Sequence, residues 1–244
     1  MADVIQTGIN GLDSMLFGGI PQKNQVILAG GPGAGKTLLA FEFLYKNAKM
    51  GNKSIFFSLD ESPERVVKNA KEAFSSFTDM DQLMESRNLI VEGEDPQTSL
   101  FGSSENSNYE FGKLVSDIES LVTSEKATRI VIDSSSILEM LVKDQLSFRR
   151  SMISMATNFR RLGVTSMLTS ELPDPERTGL RFRSTYFIFD GIIVMYQMVQ
   201  EQRRIPGIEV IKMRGNKHSF VTAPYEITPE GFKIFTTDDV STLM

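Results

Sequence analysis

The stretch Gly30-Gly31-Pro32-Gly33-Ala34-Gly35-Lys36-Thr37 fits the P-loop pattern, in which glycine and four free positions precede Gly-Lys-Thr. A P-loop lies between a strand and a helix. The apolar run Gln25-Val26-Ile27-Leu28-Ala29 predicts a buried strand before it, and residues Leu38 to Ala48 predict a helix that ends at Gly51. The sequence therefore predicts a phosphate-binding loop. The alternative is a glycine-rich connection that reached this pattern by chance.

The P-loop residues predict how ATP and Mg²⁺ would be held. Glycines allow backbone N–H groups to turn toward phosphate oxygens, and the helix N-terminus adds partial positive charge. We expect Lys36 to reach the β- and γ-phosphates and the Thr37 hydroxyl to bind Mg²⁺. The residues expected to contact the nucleotide are Gly31, Pro32, Gly33, Ala34, Gly35, Lys36, Thr37 and Leu38.

Length and composition narrow the class of protein. The chain of 244 residues fits one α/β domain over residues 1–244. Cysteine is absent, which excludes disulfides, thiolate zinc sites and cysteine nucleophiles. Neither a signal peptide nor a membrane span is visible, so we expect a cytoplasmic protein. The net charge of −5, from 26 basic and 31 acidic residues, argues against a general polyanion binder but leaves a local basic channel open.

Hydrophobic patterns predict strands that alternate with helices as far as residue 169, and strands alone after it. Residues 92–112 are polar and predict a loop. Alternation favours a mostly parallel sheet flanked by helices, and the later strands favour antiparallel additions at the C-terminal edge. The predicted strands after the P-loop are 53–59, 88–91, 129–133, 164–169, 191–199, 208–213, 225–227 and 232–235, and the predicted helices are 62–74, 114–122 and 148–162. Ser62 is the predicted N-cap of the first of these helices, with Pro63 in its first turn.

Acidic residues follow two of the predicted strands. Asp133 ends the run Ile130-Val131-Ile132, a pattern typical of a Walker B element whose carboxylate holds Mg²⁺. A helix cap before Ser134 is the alternative. Asp60 and Glu61 follow another strand, and ligands of open α/β sheets lie beyond the carboxyl ends of strands. Glu61 is the candidate general base for water; the alternative is charge stabilisation of the next helix N-terminus.

Further motifs resemble those of the KaiC-like ATPases of the RecA superfamily, in the family's order and over nearly the whole chain. The resemblance implies a RecA-like P-loop NTPase fold, Mg²⁺-dependent ATP hydrolysis, and the stand-alone type common in archaea. The family carries two glutamates where this chain has Asp60 and Glu61, so it leaves open whether the shorter Asp60 shares the catalysis. The matching motifs are residues 7–13, 18–21, 30–37, 60–63, 131–134, 190–193, 211–218 and 225–228.

This resemblance implies a role for two cationic residues near the end of the chain. Lys212 and Arg214 are two apart on a predicted strand, so their side chains point to the same side. The resemblance implies that they reach the γ-phosphate of a neighbouring subunit in a hexameric ring. A solvated edge strand is the alternative. We expect His218, the only histidine, to lie near phosphate rather than to bind a metal.

The leading hypothesis is an ATPase whose nucleotide state controls assembly or partner binding. Three other functions stay open. A recombination ATPase of the RadA type would use Arg177, Arg181 and Arg183 to touch single- or double-stranded DNA, although the acidic composition does not favour this. An autokinase of the clock type would modify Ser184 or Thr185, although these are out of clear register with the family's Ser-Thr pair. A nucleotide-binding switch with negligible turnover is the non-enzymatic alternative.

Overall fold

A computed structural model describes residues 3–93, 107–142, 144–172, 183–200 and 203–236. The helices are α1 Leu12–Met15, α2 Lys36–Lys49, α3 Pro63–Ala73, α4 Met80–Glu85, α5 Ser107–Glu125, α6 Ser135–Met140 and α7 Gln145–Leu162, with a 3-10 helix at Ser184–Ile188. The strands are β1 Val4–Ile5, β2 Ile20–Pro21, β3 Gln25–Gly30, β4 Ser54–Ser58, β5 Leu89–Gly93, β6 Arg129–Asp133, β7 Thr165–Glu171, β8 Gly191–Gln200, β9 Arg203–Met213, β10 Ala223–Thr228 and β11 Gly231–Ile234.

Nine strands form one sheet in the order β11-β10-β9-β8-β3-β7-β6-β4-β5. The strands from β8 to β5 pair in parallel, whereas β9, β10 and β11 add to β8 in antiparallel fashion. The predicted class is therefore confirmed: a mostly parallel α/β sheet flanked by helices, with antiparallel strands at the C-terminal edge. The P-loop strand β3 lies between β7 and β8, near the middle of the sheet.

The parallel strands β3, β4 and β6 are buried along their length because both faces of the sheet are covered. Every residue of β3, β4 and β6 is buried. One core cluster joins the sheet to α1, α2, α3 and α4, and a second joins its opposite face to α5, α6 and α7. Continuous hydrophobic strands are the pattern expected of a sheet with helices on both faces. In the described ranges, no helix is long and apolar enough to cross a membrane.

Several local predictions are corrected by the structure. The loop predicted at 92–112 is wrong at both ends, since β5 continues through Gly93 and α5 already begins at Ser107; residues 94–106 lie outside the described residues. The region after residue 169 also contains a 3-10 helix, at Ser184–Ile188. The short helices α1, α4 and α6 have four to six residues, too few to show a helical repeat in the sequence. The predicted cap at Ser62 is confirmed, because its hydroxyl accepts a hydrogen bond from the Arg65 amide.

The C-terminal hairpin of β10 and β11 lies against the P-loop and its helix. The buried Tyr225 hydroxyl donates to the carbonyl oxygen of Ala34 at 2.6 Å. The buried carboxylate of Glu42 on α2 accepts from the Phe232 amide at 2.7 Å. A Cβ at Gly231 would lie 2.1 Å from Glu42, and φ there is 121°, so only glycine fits beside this carboxylate. The hairpin and the P-loop helix thus share two buried polar contacts.

We predict that Glu42→Gln stabilises the protein at alkaline pH. Burial raises the pKa of Glu42 to about 7 from 4.5, against the opposing effects of the Phe232 amide and Lys46. The folded state therefore keeps a proton that the unfolded chain loses, and the free energy of unfolding falls as pH rises from 4.5 to about 7. The substitution should remove this pH dependence and raise the free energy of unfolding by up to about 3 kcal/mol at pH 8.

Urea unfolding between pH 5 and pH 8 measures this difference. Glu64→Gln, at an exposed glutamate on α3, is the matched control and should leave the pH dependence unchanged. Parallel pH profiles for wild type and Glu42→Gln would contradict the prediction.

We also predict that Tyr225→Phe destabilises the fold. The substitution keeps the ring but removes the only donor found for the Ala34 carbonyl among the side chains of the described residues. An unsatisfied buried acceptor costs about 1–3 kcal/mol, which should appear as a lower urea midpoint. An unchanged midpoint would show that the carbonyl of Ala34 finds another donor.

Candidate nucleotide-binding and catalytic site

The P-loop joins the carboxyl end of β3 to the first turn of α2. Gly33 and Gly35 have φ angles of 74° and 84°, which favour glycine. Gly35 is the N-cap of α2 and has no side chain to cap the helix. The first amides of α2, at Lys36, Thr37 and Leu38, have no acceptor within the helix. Amides in this position, together with the positive end of the helix dipole, are suited to bind an anion.

The Lys36 ammonium lies within this loop. Its Nζ donates to the carbonyl oxygen of Gly31 at 3.0 Å. Burial lowers the pKa of Lys36, while the carboxylates of Glu171, Asp133 and Asp60 act in the opposite direction. The lysine is therefore a cation held among three carboxylates, at the carboxyl edge of the sheet.

Asp133 lies at the end of β6, and its carboxylate joins three elements. Its Oδ2 accepts from the Thr37 hydroxyl at 2.7 Å, and its Oδ1 accepts from the Thr169 hydroxyl of β7. Burial raises the pKa of Asp133, the two hydroxyl hydrogen bonds oppose this, and the charge of Asp60 adds to it. The N-cap of α6 is Ser134, so Asp133 does not occupy the cap position. The predicted pair Thr37 and Asp133 thus meets in the fold.

The oxygen atoms at this position fit a Mg²⁺ ion. The described residues contain no group of three or more His, Cys, Asp or Glu that could hold a metal by themselves. Mg²⁺ in nucleotide sites takes one or two protein oxygens and completes its shell with phosphate oxygens and water. The Thr37 hydroxyl and the Asp133 carboxylate supply two such oxygens next to the phosphate-binding amides.

Asp60 and Glu61 follow β4 and point in different directions. Asp60 lines a cleft of about 440 Å³ together with Ser134 and Glu171, and its charge acts on Lys36 and Asp133. The Glu61 Oε2 instead accepts a hydrogen bond from Asn69 and forms an ion pair with Arg65, both on α3. Asp60 thus lies on the P-loop side of the turn, and Glu61 contacts the helix that follows.

Two residues at this edge were not predicted from the sequence. Thr169 hydrogen-bonds Asp133, and Glu171 lies opposite Gly30 in the parallel ladder of β3 and β7. Both belong to the carboxyl-terminal half of β7, the neighbour of the P-loop strand. Their polar character at the end of a buried strand was the available signal. It becomes informative only when β7 is known to lie next to β3.

Lys212, Arg214 and His218 lie toward the end of the sheet at which the parallel strands begin, opposite to the end that carries the P-loop. Lys212 pairs with Ile192, which pairs with Ile27 near the start of β3. Because β3 runs on to Gly30, the P-loop begins about 10 Å or more farther along the sheet, at about 3.3 Å per residue. The structure does not bring these three residues to the P-loop of their own chain.

Arg214 is bound within its own chain. Its Nη2 donates to the Phe187 carbonyl at 3.1 Å, and its Nη1 lies 3.7 Å from the buried carboxylate of Asp190. Asp190 also pairs with Arg160 at 2.9 Å. Burial and the charge of Arg214 lower the pKa of Lys212, so the two predicted cations do lie close together. More than half of the Arg214 side chain is exposed.

The remaining candidates are His218 and the residues considered for DNA contact and for phosphorylation, and each has its own local contacts. His218 Nδ1 lies 2.9 Å from the Ser219 carbonyl oxygen, and its ring contacts Phe220. Arg183 forms an ion pair with Glu139 at the cleft, while residues 177 and 181 lie outside the described residues. Thr185 is buried, which argues against it as an accessible phosphate acceptor.

Comparison with known proteins identifies relatives over the whole length of the chain. A family model described as "ATPase: KaiC" matches residues 5–239. A UPF0273 protein from Aeropyrum pernix is 31% identical over 242 residues, covering 96% of this chain and 94% of that protein. A crystal structure of a KaiC-like protein from the hyperthermophilic archaeon Pyrococcus horikoshii superposes with a TM-score of 0.81 at 25% identity, covering 97% of this chain and all of the other.

The circadian clock oscillator protein KaiC of Thermosynechococcus vestitus is 29% identical over 232 residues, which is 95% of this chain. The matched region is 44% of that clock protein, so this chain spans less than half of its length. The P-loop, the acidic strand end at Asp133 and the mostly parallel sheet agree with these matches. The chain belongs to the KaiC ATPase family.

Proposed function

We propose that this protein binds and hydrolyses ATP with Mg²⁺, as a KaiC-like ATPase. The observation that carries this proposal is the contact between Thr37 and Asp133, at 2.7 Å beside Lys36. It places a hydroxyl, a carboxylate and an ammonium next to the free amides of a helix N-terminus. This combination suits a polyphosphate bound with a hard divalent cation.

In the bound state, the amides of the P-loop hold the phosphate oxygens and Lys36 contacts the β- and γ-phosphates. Thr37 and Asp133 hold Mg²⁺, which supplies positive charge to the phosphates when bound. The contact of Thr169 with Asp133 favours the ionised carboxylate that a cation requires. The chain's own cation and carboxylate thus surround the phosphates from two sides.

Hydrolysis requires a base for the attacking water. The water oxygen bonds to the γ-phosphorus, the bond from that phosphorus to the bridging oxygen of ADP breaks, and phosphate and ADP leave. Glu61 accepts the water proton, and Asp60, on the P-loop side of the same turn, contributes charge near Lys36. Asp60 and Glu61 follow the carboxyl end of β4, and ligands of such sheets bind beyond the carboxyl ends of the parallel strands.

The two cations at the far edge of the sheet support assembly into a ring. Lys212 and Arg214 are too far from their own P-loop to contact its phosphates, and Arg214 is more than half exposed. We assign them to the γ-phosphate of the next subunit in a hexameric, cytoplasmic ring, with His218 near the same phosphates. The nucleotide state would then control assembly or the binding of a protein partner.

We predict that Lys36→Ala weakens ATP binding by about tenfold or more, equivalent to about 1.4 kcal/mol. The variant loses the one side-chain cation that the P-loop itself provides. Isothermal titration with ATP and Mg²⁺ measures the change. Lys68→Ala, at an exposed lysine on α3, is the control and should bind as wild type. Wild-type affinity in Lys36→Ala would exclude the P-loop as the nucleotide site.

We predict that Arg214→Ala and Glu61→Gln are each nearly inactive alone and recover part of the ATPase activity when mixed. Loss of a general base costs about 10²–10⁴ in rate, and a mixed ring contains interfaces that combine an intact Glu61 with an intact Arg214. Turnover should also rise with protein concentration, since a neighbouring subunit completes the site.

Arg160→Ala is the matched control for this mixing experiment. It removes the other arginine paired with Asp190 but leaves Lys212 and Arg214 in place, so it should keep activity if Arg214 acts on phosphate. Activity that is independent of concentration, without recovery on mixing, would indicate a site complete within one chain.

A further inference from the structure

The Glu61 carboxylate is held through one of its two oxygens. Its Oε2 accepts from the Asn69 side-chain amide at 3.1 Å and lies 3.1 Å from the Arg65 Nε. Within the part of the chain that the structure describes, no donor contacts Oε1. Asn69 is thus the hydrogen-bond donor to Oε2, and Arg65 is its ion-pair partner. The two residues lie one helical turn apart on α3, so both contacts come from the same direction.

The main chain at Glu61 is anchored as well. The Ser58 hydroxyl at the end of β4 donates to the Glu61 carbonyl at 2.5 Å, and the Glu61 amide lies 3.4 Å from the same hydroxyl. Ser62 caps α3 immediately after it, with Pro63 in the first turn. Since backbone and side chain are both held, one hydrogen bond and one ion pair on Oε2 restrict the rotation of the carboxylate.

Stability alone does not account for these contacts. The side chain of Arg65 is 70% exposed and that of Glu61 is 34% exposed. Exposed ion pairs of this kind contribute about 0–1 kcal/mol. Asn69 is partly buried, and its side-chain amide donates to the same oxygen although it could donate to water instead. One hydrogen bond and one ion pair thus converge on a residue that the proposed mechanism uses as a base.

We propose that Arg65 and Asn69 are positioning residues for hydrolysis, which orient Glu61 so that Oε1 receives the proton of the attacking water. This inference rests on the proposed function, in which Glu61 is the base. Arg65 and Asn69 act through Glu61: among the described residues, no hydrogen bond or ion pair joins their side chains to the P-loop or to Asp133. Small displacements of a catalytic group can cost up to about 10²-fold in rate, so the orientation of one carboxylate matters.

The test compares the steady-state ATPase kinetics of the full-length chain with and without these donors. Arg65→Met with Asn69→Leu removes both donors and keeps side-chain volume. We expect kcat to fall about tenfold or more and KM for ATP to stay within about twofold. Lys68→Met with Glu72→Gln removes an ion pair at 3.9 Å on the same helix and should leave both constants unchanged.

Two further variants separate orientation from folding. Arg65→Lys with Asn69→Gln keeps two donors and should regain much of the lost kcat, which a merely structural defect would not predict. In a Glu61→Gln background, removal of both donors should lower kcat no further, because the group that they orient is already lost.

The outcomes distinguish this inference from the function on which it rests. If Glu61→Gln is strongly impaired but the chain without both donors keeps or raises its kcat, the positioning role is wrong and the ATPase proposal stands. A Glu61→Gln variant with normal turnover would show instead that Glu61 is not the base, and the positioning role would fall with it. A lower kcat that the conservative variant does not restore would also overturn the inference.

Discussion

The site depends on a buried carboxylate, Asp133, that has to be compensated. Burial disfavours its charge, and the hydroxyls of Thr37 and Thr169 supply the hydrogen bonds that make the ionised form tolerable. Those hydroxyls belong to α2 and β7, so one side chain ties the P-loop helix to two strands of the sheet. Lys36 lies beside the carboxylates for the same electrostatic reason. Asp133 therefore contributes both to the packing of these elements and to the proposed Mg²⁺ site.

The parallel sheet separates two kinds of functional residue. Because β3, β4, β6 and β7 all run in one direction, their carboxyl ends collect the P-loop, Asp60, Asp133 and Glu171 at one edge. The antiparallel strand β9 ends at the opposite end of the parallel strands; it carries Lys212, and Arg214 follows its last residue, Met213. A single chain of this fold therefore presents its phosphate site and its late cations on opposite sides, which suits contact between successive subunits.

The sequence predicted the P-loop, the acidic residue after β6, and a parallel sheet with an antiparallel edge, since each leaves a local pattern. It also predicted the cap at Ser62. It missed α4 and α6, which are shorter than two helical turns. It missed Thr169 and Glu171 as well, because their relation to the P-loop comes from the pairing of β3 with β7, about 140 residues apart in the chain.

The sequence by itself predicted a phosphate ligand, because eight consecutive residues between a strand and a helix fit the pattern of a phosphate-binding loop. Only the tertiary structure decided in which direction each of the adjacent carboxylates, Asp60 and Glu61, points. Asp60 acts on Lys36 and Asp133, whereas Glu61 is held by Arg65 and Asn69 on α3. Adjacent residues in a turn have no repeat that predicts their direction. Which side of the turn each carboxylate takes depends on the donors that the folded chain places around it.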